Sequence, residues 1–479
     1  MAEASIALNR FGIGARPGES PPANPRAWLL DQFDLFEPRP APIAAVADSH
    51  AVAAALADAA MQAQQLRGGP RRKDDGQPGS PDPNAMAAKD VLQAARRDAR
   101  QDYVDAVGAR MASALATPAP FVERMVWFWA NHFAVSIDKG GMVGLAGPFE
   151  FEAIRPHVLG RFGDMVNAVE RHPAMLLYLD QARSIGPNSP VGQRIDARGK
   201  RKVGINENLG REAMELHTLG VRTGYSQADV TEFARALTGW TVVGKGNGFG
   251  AQFAGSTGRP GDFVFAERLH EPGVRTIMGK RYNQPGERQA QAVLDDLVAS
   301  PATAKHIAFK LARHFAGDTP PQPLVDRLAA TYLKTRGDLP SLYRVLIDSP
   351  EAWARAPAKF KTPWEWSVSS LRAVGTDQVK PKMIDGLLNQ LGQPVWKPGS
   401  PAGYDDIAAS WAGPDAILRR VEVAQRFAGP AAGTLDARTL AATLYPAAVS
   451  PTTSQQLARA ESPAQALALL LVAPESMRR

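Results

Sequence analysis

Apolar residues recur at three- and four-residue spacing along most of the chain, which is the spacing of one face of a helix. The pattern predicts helices over residues 50–66, 85–116, 120–135, 288–316, 322–349 and 363–374. A further helix is predicted to begin at Ser226, because Ser226 and Asp229 have the spacing of a capping box, and to end at Gly239. The fold class predicted is therefore mainly α, with a large, bundle-like body of many helices.

Two short apolar segments lie outside the helical pattern and favour β-strands. They begin at Phe263 and Arg275, and a Glu-Pro-Gly turn at Glu271 separates them. We expect them to pair with each other as one small β-hairpin near residues 262–280.

The domain organisation follows from where this periodicity is lost. Residues 67–84 are dominated by Pro, Gly and charged side chains, which predicts a disordered insertion. Residues 183–206 have a similar Gly, Pro and basic composition and are predicted to form a loop. No internal repeat is visible, so we expect a single helical domain over residues 1–429 and a helical extension at residues 430–479 packed on it.

Composition adds several exclusions. The chain has 479 residues, 44% of them hydrophobic, which suffices for a large core. It has no cysteine, which excludes disulfides, thiolate nucleophiles and Cys-ligated zinc or iron–sulfur clusters. No stretch approaches the ~20 apolar residues of a membrane span, and the first residues lack the pattern of a signal peptide. We therefore expect cytoplasmic residence, or export in complex with a signal-bearing partner.

The net charge is +7 and the isoelectric point is about 9.5, a balance that can attract polyanions. However, the 55 basic and 48 acidic residues are interspersed. Two basic clusters, at residues 71–73 and 194–202, are not interleaved with the aromatic side chains on which nucleic-acid bases stack. This argues against nucleic-acid binding and favours solvated loops.

Several motifs occur in a defined order along the chain. They are LNRFGIG from Leu8, WANHFAVS from Trp129, HPAMLLYLD from His172, NENLGREAMELHTLG from Asn206, YSQADV from Tyr225, ARALTGW from Ala234, LHEPG from Leu269, KLARHF from Lys310 and KTP from Lys361. From about residue 8 to residue 428 the chain resembles the bacterial family known as domain of unknown function 1800. Three positions depart from the pattern expected in many relatives: Ala130 replaces His, His217 replaces Phe and Glu271 replaces Asp.

The resemblance also implies a partner. Members of this family are usually found beside the family known as domain of unknown function 1501, which resembles phosphatase-like or sulfatase-like proteins and often carries a twin-arginine export signal. A protein of that second family is therefore the expected partner.

The segment from Glu207 to Leu219 supplies the first candidate site. On a helix, an apolar face forms from Leu209, Ala213, Leu216 and Leu219, and an ionic stripe from Glu207, Arg211 and Glu215. Glu212 lies at the edge of the apolar face, where a carboxylate needs a cationic or hydrogen-bonding partner, or a raised pKa. We expect it to be buried against Arg235 or Lys310, either as a structural ion pair or as a functional carboxylate.

The segment from His306 to Phe315 supplies a second candidate. His306, Lys310, Arg313 and His314 fall on one side of the predicted helix. This cationic ridge is interpreted in two ways. It is a solvated amphipathic face, or it is an anion-binding wall or a partner of the Glu212 helix.

Two further histidines have chemically suggestive neighbours. His132 follows Asn131 in an aromatic segment, where the alternatives are a hydrogen-bonded core residue and a site residue. His270 comes just before the Glu-Pro-Gly turn, in the kind of loop that displays functional groups.

No local metal signature occurs, and neither does a nucleophile-elbow or phosphate-loop motif. No metal ligand is therefore assigned and the cofactor is unknown, although Glu212, His132 and His270 could together form a metal site if the fold brings them close.

These observations lead to competing functional hypotheses. The first is a hydrolase or lyase that uses general acid–base groups, with catalytic Glu212, His132, His270 and Glu215, and substrate- or anion-binding Asn131, Arg211, Arg235, Lys310 and His314. The second is a non-catalytic partner of the phosphatase-like or sulfatase-like neighbour, and a third is a metal-binding oxidative-stress protein. Convergence of Glu212, His132 and His270 on one open pocket would favour the enzyme.

Overall fold

Helices make up most of the molecule, as the periodicity predicts. The computed structural model describes residues 3–68, 82–197, 204–244, 258–356 and 359–479. The mainly α fold class is therefore confirmed, with β-structure confined, among these residues, to two small sheets.

The first half of the chain forms helices that begin, in many cases, with proline in the first turn, where its missing N–H costs nothing. They are α1 (Glu3–Ile6), α2 (Pro25–Leu35), α3 (Ala41–Ala44), α4 (Ser49–Gly68), α5 (Pro83–Ala116), α6 (Pro120–His132), α7 (Ala146–Phe149), α8 (Phe162–Arg171), α9 (Pro173–Tyr178), α10 (Pro190–Asp196), α11 (Asn208–Glu212) and α12 (Gln227–Leu237). Three short π-helical segments accompany them, at Ala7–Phe11, Glu150–Ile154 and Ala213–His217. The predicted capping box of Ser226 and Asp229 is present at the start of α12.

The four strands pair differently from the prediction. They are β1 (Trp240–Val242), β2 (Phe263–Phe265), β3 (Arg275–Ile277) and β4 (Lys280–Tyr282). β1 pairs antiparallel with β2, and β3 pairs antiparallel with β4. The expected hairpin between β2 and β3 is therefore wrong. Each strand finds a partner outside the predicted turn, because Met278 and Gly279 adopt positive φ and form the tight turn between β3 and β4.

The second half of the chain is again helical. Its helices are α13 (Glu287–Ala299), α14 (Pro301–Ala316), α15 (Gln322–Thr335), α16 (Leu339–Asp348), α17 (Pro363–Ala373), α18 (Pro381–Gln390), α19 (Pro414–Ala431), α20 (Ala437–Leu444), α21 (Pro451–Arg459), α22 (Pro463–Leu471) and α23 (Pro474–Met477). The predicted helical segments at residues 288–316 and 322–349 are each divided in two. Ser300 caps α14, and Asp338 caps α16.

α6 lies in the middle of the core. Every residue from Pro120 to Trp129 is buried, because this helix is apolar around most of its circumference. Its polar groups are satisfied inside the protein, as when Nε1 of Trp129 donates to the hydroxyl of Tyr343 at 2.7 Å. One continuous hydrophobic cluster surrounds α6 and extends from Ile6 to Met477.

The predicted insertion and the predicted loop have different outcomes. Residues 69–81, the centre of the insertion predicted at 67–84, lie outside the described residues, and helix α5 already begins at Pro83. The loop predicted at residues 183–206 contains a helix, α10, because Ser189 accepts a hydrogen bond from the backbone of Gly192 and caps it.

The surface region formed by α3 and α4 is unusually apolar. Within the described residues, the segment Ala41–Gly68 is the one whose length and composition would suffice to cross a membrane. The expectation that no segment meets this criterion is therefore wrong, and the reason is the alanine content of α4. Length and composition do not distinguish a membrane helix from a helix of a soluble protein, and α4 packs along α5 here.

The C-terminal residues 430–479 form helices α20 to α23, which pack on α19 and α17. Nε1 of Trp366 in α17 donates to the carbonyl of Leu471 at 3.0 Å. The division into a domain at residues 1–429 and an extension stays a prediction.

Candidate functional site

A pocket of about 120 Å³ lies where α6 and α14 meet the start of α17 and the segment of residues 393–406. Its walls combine aromatic side chains, such as Trp127, Trp364 and Trp396, with charged and polar ones. The charged and polar residues of the lining include Arg110, Arg124, Asn131, His132, Lys310, His314, Glu365 and Asp406.

His132, the last residue of α6, is held as one defined tautomer. Its Nε2 lies 3.1 Å from the carbonyl oxygen of His217, which can only accept, so Nε2 carries the proton. Its Nδ1 lies 2.9 Å from Nζ of Lys310 and accepts from that ammonium group. Burial, reinforced by the charge of Lys310, holds the pKa of His132 well below its ordinary value, so the ring is neutral.

Lys310 projects from α14 toward the same space. In the described part of the chain it forms no ion pair with a carboxylate, and its hydrogen bond to His132 goes to a neutral acceptor. Burial lowers the pKa of Lys310 to about 8, against the opposing influence of Asp406. The pocket therefore contains a cationic group without a compensating anion at contact distance.

His314 lies one helical turn after Lys310 and is oriented by a carboxylate. Its Nδ1 is 2.9 Å from Oδ2 of Asp406. Burial, followed by the charge of Arg479, lowers the pKa of His314 to about 4, so the neutral ring donates from Nδ1 and keeps a lone pair on Nε2. One terminal nitrogen of Arg479 lies 3.4 Å from both ring nitrogens, and because Nδ1 already carries a proton, it donates a long hydrogen bond to the Nε2 lone pair.

Asp406 stays ionised although it is partly buried. Burial alone would raise its pKa, but His314, Lys359 and Arg479 outweigh that effect and lower it. The Oδ1 atom of Asp406 is 3.0 Å from Nζ of Lys359. Asp406 and His314 thus form an oriented carboxylate–imidazole pair of the kind that positions a general base.

Glu365, at the start of α17, forms a charged wall beside the pocket together with Asp406 and Arg479. It forms a capping box with Thr362, in which each side chain accepts from the backbone of the other. It also forms ion pairs with Arg124 and with Nε of Arg479, the latter at 2.8 Å. Burial would raise the pKa of Glu365, but these two arginines lower it to about 2.

The segment of residues 393–406 is fixed to α6 by Asn131. The side chain of Asn131 donates to the carbonyl of Tyr404 at 2.8 Å and accepts from its N–H at 2.7 Å. Gly403 has a positive φ, and a Cβ there would lie 2.3 Å from the carbonyl oxygen of Asn131. Glycine is therefore required for this close approach, which closes one side of the pocket.

Four of the predicted site residues gather at this pocket: Asn131, His132, Lys310 and His314. His132 is hydrogen-bonded in the core and also lines the pocket, and its role as a site residue stays a prediction. The ridge from His306 to His314 is half-buried at His306, Lys310 and His314, so these three residues do not form a fully solvated face. His306 packs against the Glu212 segment, since its Nδ1 donates to the carbonyl of Thr218 at 2.7 Å.

The fourth member of the ridge, Arg313, does not face the pocket and instead stacks over Phe309, 4.6 Å from the ring centre.

Glu212 does not have the predicted partner. It is half-buried, and within the described residues it forms no ion pair with Arg235 or Lys310. Arg235 pairs with Glu232, and Lys310 is held by His132. Burial raises the pKa of Glu212, and nearby His217 only partly opposes this.

The rest of the Glu212 segment is partly as predicted. Arg211 pairs with Glu207 at 3.1 Å and with Glu215 at 3.3 Å, which confirms the ionic stripe. The predicted apolar face fails at Leu216, which is half-buried, while His217 is buried in its place. The reason is the π-helical segment Ala213–His217, whose wider turn rotates the following residues away from α-helical positions.

His217 then pairs with Glu170 through Nδ1 at 2.7 Å, with both side chains buried.

His270 lies away from the pocket. Its Nδ1 donates to the carbonyl of Thr238 at 2.9 Å, and burial lowers its pKa. Glu212, His132 and His270 therefore do not converge, and they form no shared metal site. Across the described ranges, no cluster of three or more His, Asp or Glu side chains has the arrangement of a metal site.

Comparison with known proteins confirms the family resemblance. A family model described as protein of unknown function (DUF1800) matches residues 6–478. The chain belongs to this family. No curated protein and no solved structure matches it. All the pocket residues of this DUF1800 protein, from Arg110 to Asp406, lie within the matched range.

The sequence analysis identified none of the three residues of the charged wall in this DUF1800 protein. Glu365 had a local signal, since Thr362 and Glu365 have capping-box spacing after Lys361. Asp406 and Arg479 had none. They lie 92 and 165 residues from His314 in the chain, and only packing brings them to it.

Proposed function

We propose that this pocket is the active site of a general acid–base enzyme, a hydrolase or lyase acting on a small molecule with a carbonyl or acyl group. The observation that carries the proposal is the 2.9 Å contact between the ammonium of Lys310 and neutral His132, in a pocket that also contains the oriented pair of His314 and Asp406. Two titratable groups with opposite roles therefore face one small space.

The two groups have complementary protonation states near neutral pH. His314, with a pKa of about 4, is neutral and can accept a proton from water or from a carbon acid. Lys310, with a pKa of about 8, is protonated and can stabilise a developing oxyanion or protonate a leaving group. The charged wall formed by Glu365, Asp406 and Arg479 keeps His314 in place.

This assignment predicts the pH dependence of catalysis. The productive form needs neutral His314 and protonated Lys310, so the rate is expected to rise as pH increases through about 4 and to fall as it increases through about 8. The measurement is product formation by nuclear magnetic resonance with a panel of small carboxylic esters, amides and 3-hydroxy acids, followed by a pH profile on any substrate turned over.

Variants on the same helix supply the control. Lys310→Met and His314→Gln are expected to reduce turnover by at least about a hundredfold, the usual contribution of a general acid or base. Lys305→Met changes an exposed lysine of α14 and is expected to leave the rate unchanged. Turnover that survives Lys310→Met, or the absence of turnover across the panel, would contradict the proposal.

A second candidate function is the docking of a partner protein, with the DUF1501 family as the expected partner. The observation that favours it is the exposure of Met61 on α4 and Met86 on α5, at 54% and 52%, within the apolar region around α4. Charged substitution of both methionines is expected to abolish co-purification with a DUF1501 protein. The matched control is Leu418→Glu, because Leu418 on α19 is similarly exposed, at 57%. Co-purification that is unchanged by all three substitutions would contradict this function.

A further inference from the structure

Arg110 presents unused hydrogen-bond donors to the pocket. Its Nε donates to Glu150 at 2.8 Å, and its guanidinium group stacks over Trp364, 4.1 Å from the ring centre. The side chain is only 9% exposed, and within the described residues its two terminal amino groups have no hydrogen-bond partner. A rigid planar guanidinium with two free amino groups is the geometry that binds a carboxylate in a bidentate manner.

Lys310 lines the same pocket and has the properties of a nucleophilic amine. It is free of carboxylate partners in the described part of the chain, and its one hydrogen bond goes to the neutral ring of His132. Its pKa of about 8 lies below the ordinary 10.5 because of burial. The fraction present as free amine at neutral pH is therefore roughly 300-fold larger than for an exposed lysine.

The size of the pocket restricts the ligand. A volume of about 120 Å³ has room for on the order of ten water-sized spheres, which suits a molecule of a few heavy atoms. The aromatic rings of Trp127, Trp364 and Trp396 surround this space and favour a compact ligand with some apolar surface.

We propose that the pocket binds a small 2-oxo acid, whose carboxylate pairs with Arg110 and whose carbonyl carbon forms an imine with Nζ of Lys310. This inference rests on the proposed function of the pocket and narrows it to carbonyl substrates that carry an adjacent carboxylate. For these substrates Lys310 acts as a nucleophile in its free-amine form, in place of the protonated role given above, so imine formation is expected to become faster as pH increases toward about 8.

The covalent step balances without a further reactant. The ammonium of Lys310 first loses a proton to Nε2 of His314 or to solvent, and the free amine attacks the carbonyl carbon. A C–N bond forms, and the carbinolamine then loses its hydroxyl group as water after that group is protonated. The products are a protonated imine and one water molecule, so two of the three ammonium protons leave on the water and the charge is unchanged.

The test is reductive trapping in the full-length protein. Pyruvate or glyoxylate is added with cyanoborohydride, which converts an imine to a stable secondary amine, and peptide mass spectrometry locates the modified lysine. We expect modification of Lys310 at substrate concentrations that leave exposed lysines, such as Lys305, unmodified. Lys310→Arg is expected to abolish this labelling, and Lys305→Arg is expected to leave it unchanged.

The role of Arg110 is tested with a substrate pair. Acetaldehyde has the carbonyl group but no carboxylate. We therefore expect pyruvate to label Lys310 at concentrations at least about tenfold lower than acetaldehyde does, because one favourable ion pair with Arg110 improves the binding affinity by about that factor. Arg110→Gln is expected to remove this preference. Because Arg110 pairs with buried Glu150, the double variant Arg110→Gln with Glu150→Gln is measured beside it, and both are checked for the native melting transition.

Equal labelling by pyruvate and acetaldehyde, or labelling of exposed lysines without Lys310, would overturn the inference. The two proposals fail separately. Turnover that depends on Lys310 but forms no imine would support the general acid–base enzyme and contradict the 2-oxo acid proposal. An imine at Lys310 without any turnover would support the 2-oxo acid proposal and contradict the proposed enzymatic function.

Discussion

Burial determines the protonation states of Lys310 and His132, which their residue types alone do not determine near neutral pH. Both would be cationic at mildly acidic pH in water, and neither has a carboxylate at contact distance in the described structure. Desolvation disfavours two positive charges in one enclosed space, so the imidazole gives up its proton and accepts a hydrogen bond from the ammonium. The result is an ammonium group that is stabilised only weakly, which is typical of a functional rather than a structural lysine.

This arrangement predicts that Lys310→Met stabilises the protein. The folded pKa of about 8 is below the unfolded value of 10.5, so the unfolded chain binds the proton more tightly and the charged lysine destabilises the native state below pH 8. Methionine has a similar length and no charge, and we expect the free energy of unfolding at pH 7 to rise by about 1–2 kcal/mol. Urea unfolding provides the measurement.

Lys305→Met again serves as the control, with an expected change within about 0.5 kcal/mol. A loss of stability in Lys310→Met beyond that control would show that the lysine is held for structure, and would contradict its assignment to the site.

At the scale of elements, helix starts and irregular turns place the functional groups. The capping box of α17 fixes Glu365 in the charged wall, where it pairs with Arg124 and Arg479. The π-helical segment Ala213–His217 brings the carbonyl of His217 to His132 and so sets its tautomer. Neither the capping box nor the π-helical segment contributes a reacting group. The capping box positions the charged wall beside His314, and the π-helical segment sets the tautomer of His132.

The two capping boxes offer a matched comparison. Thr362→Ala at α17 and Ser226→Ala at α12 each remove a cap, and each is expected to cost about 1 kcal/mol of unfolding free energy. Only Thr362→Ala is expected also to slow the turnover proposed above, because it releases Glu365 and with it the Arg479 contact to His314. Urea unfolding and initial rates measure the two effects, and an equal effect of both substitutions on rate would contradict the positioning role.

At the scale of the whole molecule, long-range contacts assemble the pocket from distant parts of the chain. Arg124 in α6 donates to the carbonyl of Gly12 at 2.7 Å, and Arg479 donates to the carbonyl of His314 at 2.6 Å. The segments that provide these groups share one hydrophobic core. Stability and the integrity of the pocket are therefore expected to change together.

The half-buried histidines His306 and His314 predict an acid-sensitive fold. His306 and His314 have folded pKa values of about 4, mainly because of burial, whereas unfolded histidine titrates near 6.5. Between these values the unfolded chain binds more protons, so stability is expected to fall as pH decreases from about 6.5 to about 4. Glu365, with a folded pKa of about 2, adds a further loss below its ordinary value of 4.5.

Urea midpoints at a series of pH values would measure this slope. His306→Gln keeps an N–H donor for the carbonyl of Thr218 but does not titrate, so it is expected to flatten the dependence between pH 6.5 and 4. A slope that is identical in the variant and the parent protein would contradict the burial argument.

The sequence by itself determined the family, the mainly helical class and the positions of most long helices. It also identified the ionic stripe of Arg211 and four residues of the pocket, among them Lys310 and His314. These features are local, because periodicity, caps and side-chain stripes depend on residues within one or two turns of each other.

Only the tertiary structure decided which charges meet. It placed Asp406 and Arg479 against His314, gave Lys310 the neutral ring of His132 rather than Glu212, and paired β2 with β1 rather than with β3. The physical reason is that the packing of the whole core determines which distant segments form an ion pair or a strand pair. The hydrophobic periodicity of either segment contains no information about its distant partner.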